Sequence, residues 1–431
     1  MGLFLFVIIM FLTFFCISEF VLLIKDNGIF ARLCSAALKM ANKKGMLYTF
    51  FFCFKFCVRT IYNITKKIFV RFVNRLNHNT PQFINLAIVV EGGLGDYLLT
   101  ANWLEYVRNE FIDNTVKIFI VYHIKSALAI FPENDTAISL LKSSSYNPDS
   151  FDAEIRITTF PALGFAKEEL IKKISPKLWR YIEQLKLFTN EIRFEFDNHP
   201  KTVALMSART LIQGKKRIQE PDFYNILGIT EDYRYNLPIK ENEDSYLASI
   251  GLKDRKYILV HRGWDASANG DSFHVKAWSL KSCGDIIYRL KEEFPEYSIV
   301  LFGLSRNQAP NPKGCDLDLL EKTSLEQVKV LLKHAACLID NEGGMVHLRH
   351  ALRGGSSVVL FGSTSPELFG YSENINIRKN VCSHWCEWIT ADWTQKCIKT
   401  EEKDSPCMNS ITSIDIIESV RKIISGDINE Y

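Results

Sequence analysis

Several absences narrow the field before any motif is read. Charge of either sign is nearly balanced, with 52 Lys and Arg against 49 Asp and Glu and a net +3 at pH 7. A general nucleic-acid binder would carry a basic excess. There is no internal repeat and no low-complexity tract, so neither a repeat array nor a biased tail organises the chain. Paired CxxC knuckles are missing, and the 11 cysteines are an odd number spread along the chain, several inside apolar runs. That usage excludes a disulfide framework and fits a reducing compartment. What remains is ordinary for a folded protein, 47% hydrophobic and 23% charged over 431 residues, enough for two or three domains.

The N-terminal stretch lacks the marks of a signal peptide. Residues 2 to 24 are almost wholly apolar, with Glu19 the only charge, but no basic residue precedes them and no small-residue cleavage site follows. Residue 6 is Phe6, so the myristoylation pattern fails as well. A span needs about 20 apolar residues. Residues 1–78 therefore read as a membrane anchor with a basic interfacial segment, and transmembrane attachment is the expectation. Lys25, Arg32, Lys39, Lys43 and Lys44 follow the apolar run, which puts the body of the protein on the cytoplasmic side of an inner membrane. The shorter run Met46 to Val58, then Arg59, Lys66, Lys67, Arg71 and Arg75, suits an anionic leaflet. A helical hairpin packed on the body of the protein is the alternative.

After the linker at Asn79–Pro81, residues 83–90 read as a buried strand, Glu91-Gly-Gly-Leu-Gly-Asp96 as a loop and residues 97–111 as a helix, with a further strand over 116–122. This opens a doubly wound α/β domain, 79–244. The loop is not a dinucleotide fingerprint, because the third glycine is replaced by Leu98 and the second strand ends without an acid to hold a ribose. Asp96, on a loop of Gly92, Gly93 and Gly95, can serve as a general base. It can equally be a capping residue. Residues 123–240 are less informative: 203–206 reads as a strand, Lys215–Arg217 as a solvated basic cluster, and Lys240–Asp244 as the linker to a second domain, 245–431.

That second domain opens with a strand over 256–261 running into Arg262 and Gly263, and Lys276 precedes a helix over 281–294 near several strand ends, where a lysine can pair with phosphate or merely lie on the surface. The centre of the chain is Leu338 to Leu352, a strand, a tight Asn341-Glu-Gly-Gly loop and a helix. The first amides of a helix lack internal partners and sit at positive potential, and Gly343 and Gly344 let the backbone approach a ligand. This is a place for a diphosphate or a sugar. A second strand and loop, 356–366, follow at once. Cys382, Cys386, Cys397 and Cys407, with His384, read either as zinc ligands or as buried thiols; the irregular spacing favours thiols. An amphipathic helix over 411–424 closes the chain.

Four pieces in this order make the chain resemble glycosyltransferase family 9, which includes the heptosyltransferases of lipopolysaccharide core assembly. They are Gly92–Asp96, His261-Arg-Gly263 with Lys276-Ala-Trp278, Asn341–His347, and Leu360-Phe-Gly-Ser-Thr364. The resemblance covers about residues 83–425. It implies a GT-B architecture, two Rossmann-like domains facing across a cleft, the first for the acceptor and the second for a nucleotide-sugar donor. It implies a glycosyltransferase moving a sugar, with a heptose among the candidates, from a nucleotide-diphosphate sugar to a lipopolysaccharide or other cell-surface glycan, inverting and independent of metal. Asp96 would be the catalytic base; Lys276, Glu342, Gly343, Gly344, His347 and Thr364 would bind donor. His347 can instead make a structural hydrogen bond, and Thr364 can instead cap the next helix. No cofactor and no nucleic acid are implied; the partners are the donor, a lipid-linked saccharide acceptor and the membrane. The donor loop departs from the family's Asp-Thr-Gly by reading Glu342-Gly343-Gly344. A non-catalytic GT-B-like subunit that binds a nucleotide-sugar or scaffolds a polysaccharide complex is the alternative.

Overall fold

The computed structural model describes residues 83–131, 138–158, 160–196, 235–261, 276, 278, 280–304, 313–379, 381–382, 386, 396–397, 399–400 and 405–427. The chain divides into two compact units, 1–82 and 83–431, and all described residues belong to the second. The expected membrane anchor and interfacial segment, the strand over 203–206, the Lys215–Arg217 cluster, the loop from Arg262 to Val275 and His384 lie outside the described residues. Among the described residues no helix is long and apolar enough to cross a membrane.

The first sheet holds β1 (Ile84–Val90), β2 (Val116–Tyr122), β3 (Ile138–Lys142), β4 (Ala153–Thr158) and β5 (Phe160–Ala166). Their order is β3-β2-β1-β4-β5, parallel except for the β4–β5 pair. Helix α1 (Leu94–Phe111) follows β1, while α2 (Glu168–Ile174) and α3 (Pro176–Phe196) follow β5. Ile84, Leu86 and Ile88 are sealed under Tyr97, Trp103 and Leu104 of α1, and the Trp103 indole N–H donates to the Tyr181 hydroxyl of α3 at 2.7 Å.

The second sheet is built from β6 (Tyr257–His261), β7 (Ser298–Phe302), β8 (Leu317–Asp318), β9 (Cys337–Asn341), β10 (Ser357–Leu360) and β11 (Ile375–Ile377). Read from β8 the order is β8-β7-β6-β9-β10-β11, all parallel. Numbered from its own first strand this is 3-2-1-4-5-6, the Rossmann order, whose direction reverses between β6 and β9. Every residue of β6 and β9 is buried, as expected of central strands with both faces covered. One face carries α5 (Leu280–Glu293) and the closing helix α10 (Ser413–Ser425), whose Ile416, Ile417 and Val420 pack with Ile286 and Leu290. Helix α10 starts from a Thr412–Asp415 capping box and stops at Gly426, whose φ of 83° suits glycine. On the other face lie α6 (Leu325–His334) and α7 (Gly344–Ala351).

The acidic run at 240–244 is only in part a linker. Asn242 caps a helix, α4 (Glu243–Ser249), with Glu243 and Asp244 in its first turn, a helix start rather than a solvated run. Lys329 of α6 secures the extended segment before it. Its side chain has no exposed surface, and its ammonium donates to Ala129 O at 3.0 Å and Pro238 O at 2.5 Å while pairing with Glu326 at 2.7 Å.

Candidate active site

The first loop lies at the C-terminal end of β1. Glu91 N–H donates to Ile157 O of β4 and its carboxylate pairs with Arg156 at 2.8 Å, both half exposed. Gly93 is the N-cap of α1, so the helix begins at Leu94, three residues before the expected Tyr97, and Asp96 stands in its first turn. Asp96 Oδ2 accepts from Gly93 N–H at 2.9 Å. The carboxylate therefore satisfies one of the free amides of the helix end, which is the capping role foreseen for it. It also explains Gly92, where an added Cβ would lie 2.0 Å from that oxygen.

The second loop lies at the C-terminal end of β9. Asn341 ends the strand, Glu342 N–H donates to Leu360 O of β10, and α7 begins at Gly344. Glu342 is buried, with Oε2 2.6 Å from Lys276 Nζ and Oε1 3.7 Å from His347 Nε2. Burial pushes the Glu342 carboxyl up, but the Lys276 ammonium and then His347 outweigh that, so it stays well below the usual carboxylate range. His347 makes the structural bond considered for it, with Nδ1 2.7 Å from the Tyr371 hydroxyl. Two positions before Glu342 in the chain, Asp340 faces His261 across the β6–β9 reversal at 2.8 Å. Burial pushes its carboxyl up, opposed by that histidine.

The two loops touch. A Cβ added at Gly95 would sit 2.7 Å from His347 Cδ2, and one added at Gly344 would sit 3.0 Å from Leu94 Cβ. Helices α1 and α7 thus meet at their N-termini. Two positive helix ends and the Lys276 ammonium converge on one place, which already holds the carboxylates of Asp96 and Glu342. A contiguous line runs Lys276, Glu342, His347, Gly95, Asp96.

Thr364 is fully buried on the loop after β10, with no partner for Oγ1 among the described residues, and the same is true of Ser363 Oγ, Asn341 Oδ1 and Trp278 Nε1. The capping role considered for Thr364 belongs to Ser365, the N-cap of the short helix α8 (Pro366–Phe369), whose hydroxyl donates to Glu367 at 2.5 Å. The orphaned atoms of Asn341, Ser363 and Thr364, on the loops after β9 and β10, are groups that water or a ligand would satisfy. Sequence reasoning missed Asn341, Ser363, Asp340 and Tyr371. The first three stood inside motifs already singled out, at strand ends; Tyr371 carried no signal.

The described cysteines are free thiols. Burial, then the neighbouring thiols of Cys407, Cys397 and Cys382, push the Cys386 thiol up to about 12. Among the described residues no three His, Cys, Asp or Glu side chains are grouped to hold a metal ion.

With this geometry in place, the chain can be set beside known proteins. The profile of glycosyltransferase family 9 (heptosyltransferase) matches residues 219–401. Over that span the chain resembles a glycosyltransferase family 9 domain. That span includes Lys276, Glu342, His347 and Thr364 and supports a glycosyltransferase, while the Asp96 loop precedes it. No curated protein matches the chain. Among solved structures, the iron-containing dodecameric glycosyltransferase TibC from enterotoxigenic E. coli H10407 shares 12% identity at a TM-score of 0.50, covering 80% of this chain and 77% of that one. The E. coli ADP-heptose lipopolysaccharide heptosyltransferase II shares 12% at 0.48, over 80% of this chain and 99% of its own, and a family 9 glycosyl transferase from Veillonella parvula DSM 2008 shares 15% at 0.46, over 80% and 99%. At such identities the likeness to TibC is one of fold, and the two lower scores carry no weight.

Proposed function

We propose that the glycosyltransferase family 9 domain works with the first sheet as a GT-B enzyme that transfers a sugar from a nucleotide-diphosphate sugar to a saccharide acceptor with inversion. The first domain, 79–244, takes the acceptor and the second, 245–431, the donor. The observation that carries this reading is the apposition of the Gly92–Asp96 loop and the Asn341–His347 loop at Gly95 and His347. It brings a carboxylate on the acceptor side within one loop of a cationic pocket on the donor side.

The chemistry follows from that juxtaposition. An inverting transfer needs a base to take the proton of the attacking hydroxyl as the bond to carbon forms, and Asp96 is the carboxylate in position. Its bond from Gly93 N–H orients the carboxylate. As the sugar–oxygen bond breaks, charge builds on the departing diphosphate. Lys276 and the first amides of α7 at Gly343 and Gly344 stabilise it, so that this chain's own residues carry the charge without a metal. Lys276 is engaged by Glu342 in the free protein, so donor phosphate shares or displaces that carboxylate, and Glu342 is then available to the sugar hydroxyls. Thr364, with Ser363 and Asn341, supplies hydrogen-bonding groups that the free protein leaves unsatisfied.

TibC has been solved with ADP-D-beta-D-heptose, which makes an ADP-heptose the first donor to try. Residues 1–78 attach the enzyme to the cytoplasmic face of the inner membrane, close to a lipid-linked lipopolysaccharide or other cell-surface acceptor. Removing 1–78 should abolish membrane partition; unchanged partition would reject that part. For the donor, the test is thermal stability against a panel of nucleotide-diphosphate sugars. A true donor at a hundred times its Kd adds about 2.7 kcal/mol, and a panel without any shift would count against the site.

A further inference from the structure

His347 sits where the two loops meet, and its ring is held from both sides by two buried neighbours. The Tyr371 hydroxyl lies 2.7 Å from Nδ1, and Glu342 Oε1 lies 3.7 Å from Nε2. The Tyr371 and His347 rings are near perpendicular at 81°, so the hydroxyl meets the imidazole at its edge. Tyr371 is itself secured. Its ring stacks on His350 with centroids 3.6 Å apart, His350 is bonded to Glu373, and the Asn376 amide donates to Tyr371 O at 3.0 Å.

The proton positions follow from what each partner can do. A carboxylate only accepts, so the imidazole nitrogen facing Glu342 is the protonated one, Nε2. A neutral imidazole then offers a lone pair at Nδ1, and a phenol, with an ordinary pKa of about 10, donates to it. The other tautomer would turn a lone pair towards a buried carboxylate and leave Tyr371 without its acceptor. The ring edge beyond Nε2, at Cδ2, is the surface that meets Gly95. Ring orientation therefore sets how closely the first loop, with Asp96, approaches the second.

We infer that Tyr371 is a positioning residue of the transfer reaction, holding His347 with Nε2–H turned to Glu342 and its ring edge under Gly95. It acts through His347 and stays clear of substrate. This rests on the transfer reading above, and the test separates the two.

The test is a double-mutant cycle with Tyr371→Phe and His347→Gln, read by kcat and donor KM, alongside the ring-nitrogen NMR shifts of His347 assigned by its loss in His347→Gln. Phenylalanine keeps the stack on His350, so the fold is retained. Tyr371→Phe should lower kcat about tenfold with donor KM within about twofold, and should cost less than about twofold once His347 is Gln. The ring nitrogens should show a single Nε2–H tautomer in the wild type and a mixture in Tyr371→Phe. Equal costs of Tyr371→Phe in both backgrounds, or an unchanged tautomer, would overturn the assignment. A wild type that turns over no nucleotide sugar, ADP-heptose included, would remove the transfer reading, while the nitrogen shifts would still decide the role of Tyr371.

Discussion

The two glycine loops each leave the C-terminal end of a central strand, β1 in one sheet and β9 in the other, and both lead into a helix. They differ in what surrounds their acids. Asp96 lies on a partly open loop and accepts from the Gly93 backbone amide, on the same strand end as the half-exposed Glu91–Arg156 pair. Glu342 is buried, paired to Lys276, faced by His347 and backed by Tyr371. In the proposed transfer the more open carboxylate exchanges a proton with the substrate, whereas the enclosed one stays ionised and holds a lysine. The proposed division into proton acceptor and anion pocket thus rests on a difference in burial and charge partners.

Removing the cation should break the contrast most. Lys276→Met leaves Glu342 buried without its partner and the departing diphosphate without its counter-charge, so kcat/KM should fall about a hundred- to a thousandfold in steady-state assays. Gly95→Ala should come next. Its methyl would press on His347 Cδ2 and part the loops while altering no charge, lowering kcat by about a hundredfold with donor binding by calorimetry nearly unchanged.

A stability effect away from the junction sharpens the comparison. Arg349 on α7 is buried with no carboxylate partner among the described residues; its guanidinium donates to Leu332, Ala335, Gly355 and Ser356 carbonyls, and burial pulls it down to about 10. Arg349→Met should destabilise by about 3 kcal/mol in urea unfolding, since several buried carbonyls lose their donor. The smallest effect is the pH response of Glu342. Its folded pKa is depressed below the ordinary 4.5, so the stability it contributes is fully present above 4.5 and is lost as pH falls below that value. Unfolding free energy should therefore decline below pH 4.5 more steeply in the wild type than in Lys276→Met, where that depression is gone.

How much of this could be read in the sequence follows from burial. Strands β1, β2, β6, β9 and β10 are apolar runs ending in turn residues, and each lies within a residue or two of its expected place. Strands β4 and β5 were not legible. Glu154 and Arg156 interrupt the apolar pattern of β4, while Pro161 and Gly164 disguise β5, which tolerates a proline because it is an edge strand. Lys276 and Glu342 were each chosen for the donor, but their pairing across 66 positions is tertiary and left no local mark. Asp96 was open between base and cap, and the fold shows the cap geometry in a place where a base would also stand.

The central claim is that Asp96 is the base facing the Lys276 pocket, and Asp96→Asn tests it most directly. Asparagine keeps an oxygen for Gly93 N–H, so the helix start survives while proton acceptance is lost. With ADP-heptose, or whichever nucleotide sugar stabilises the protein most, kcat should fall by about a thousandfold at unchanged donor affinity. A kcat within about threefold of wild type, with the donor still bound, would contradict the account.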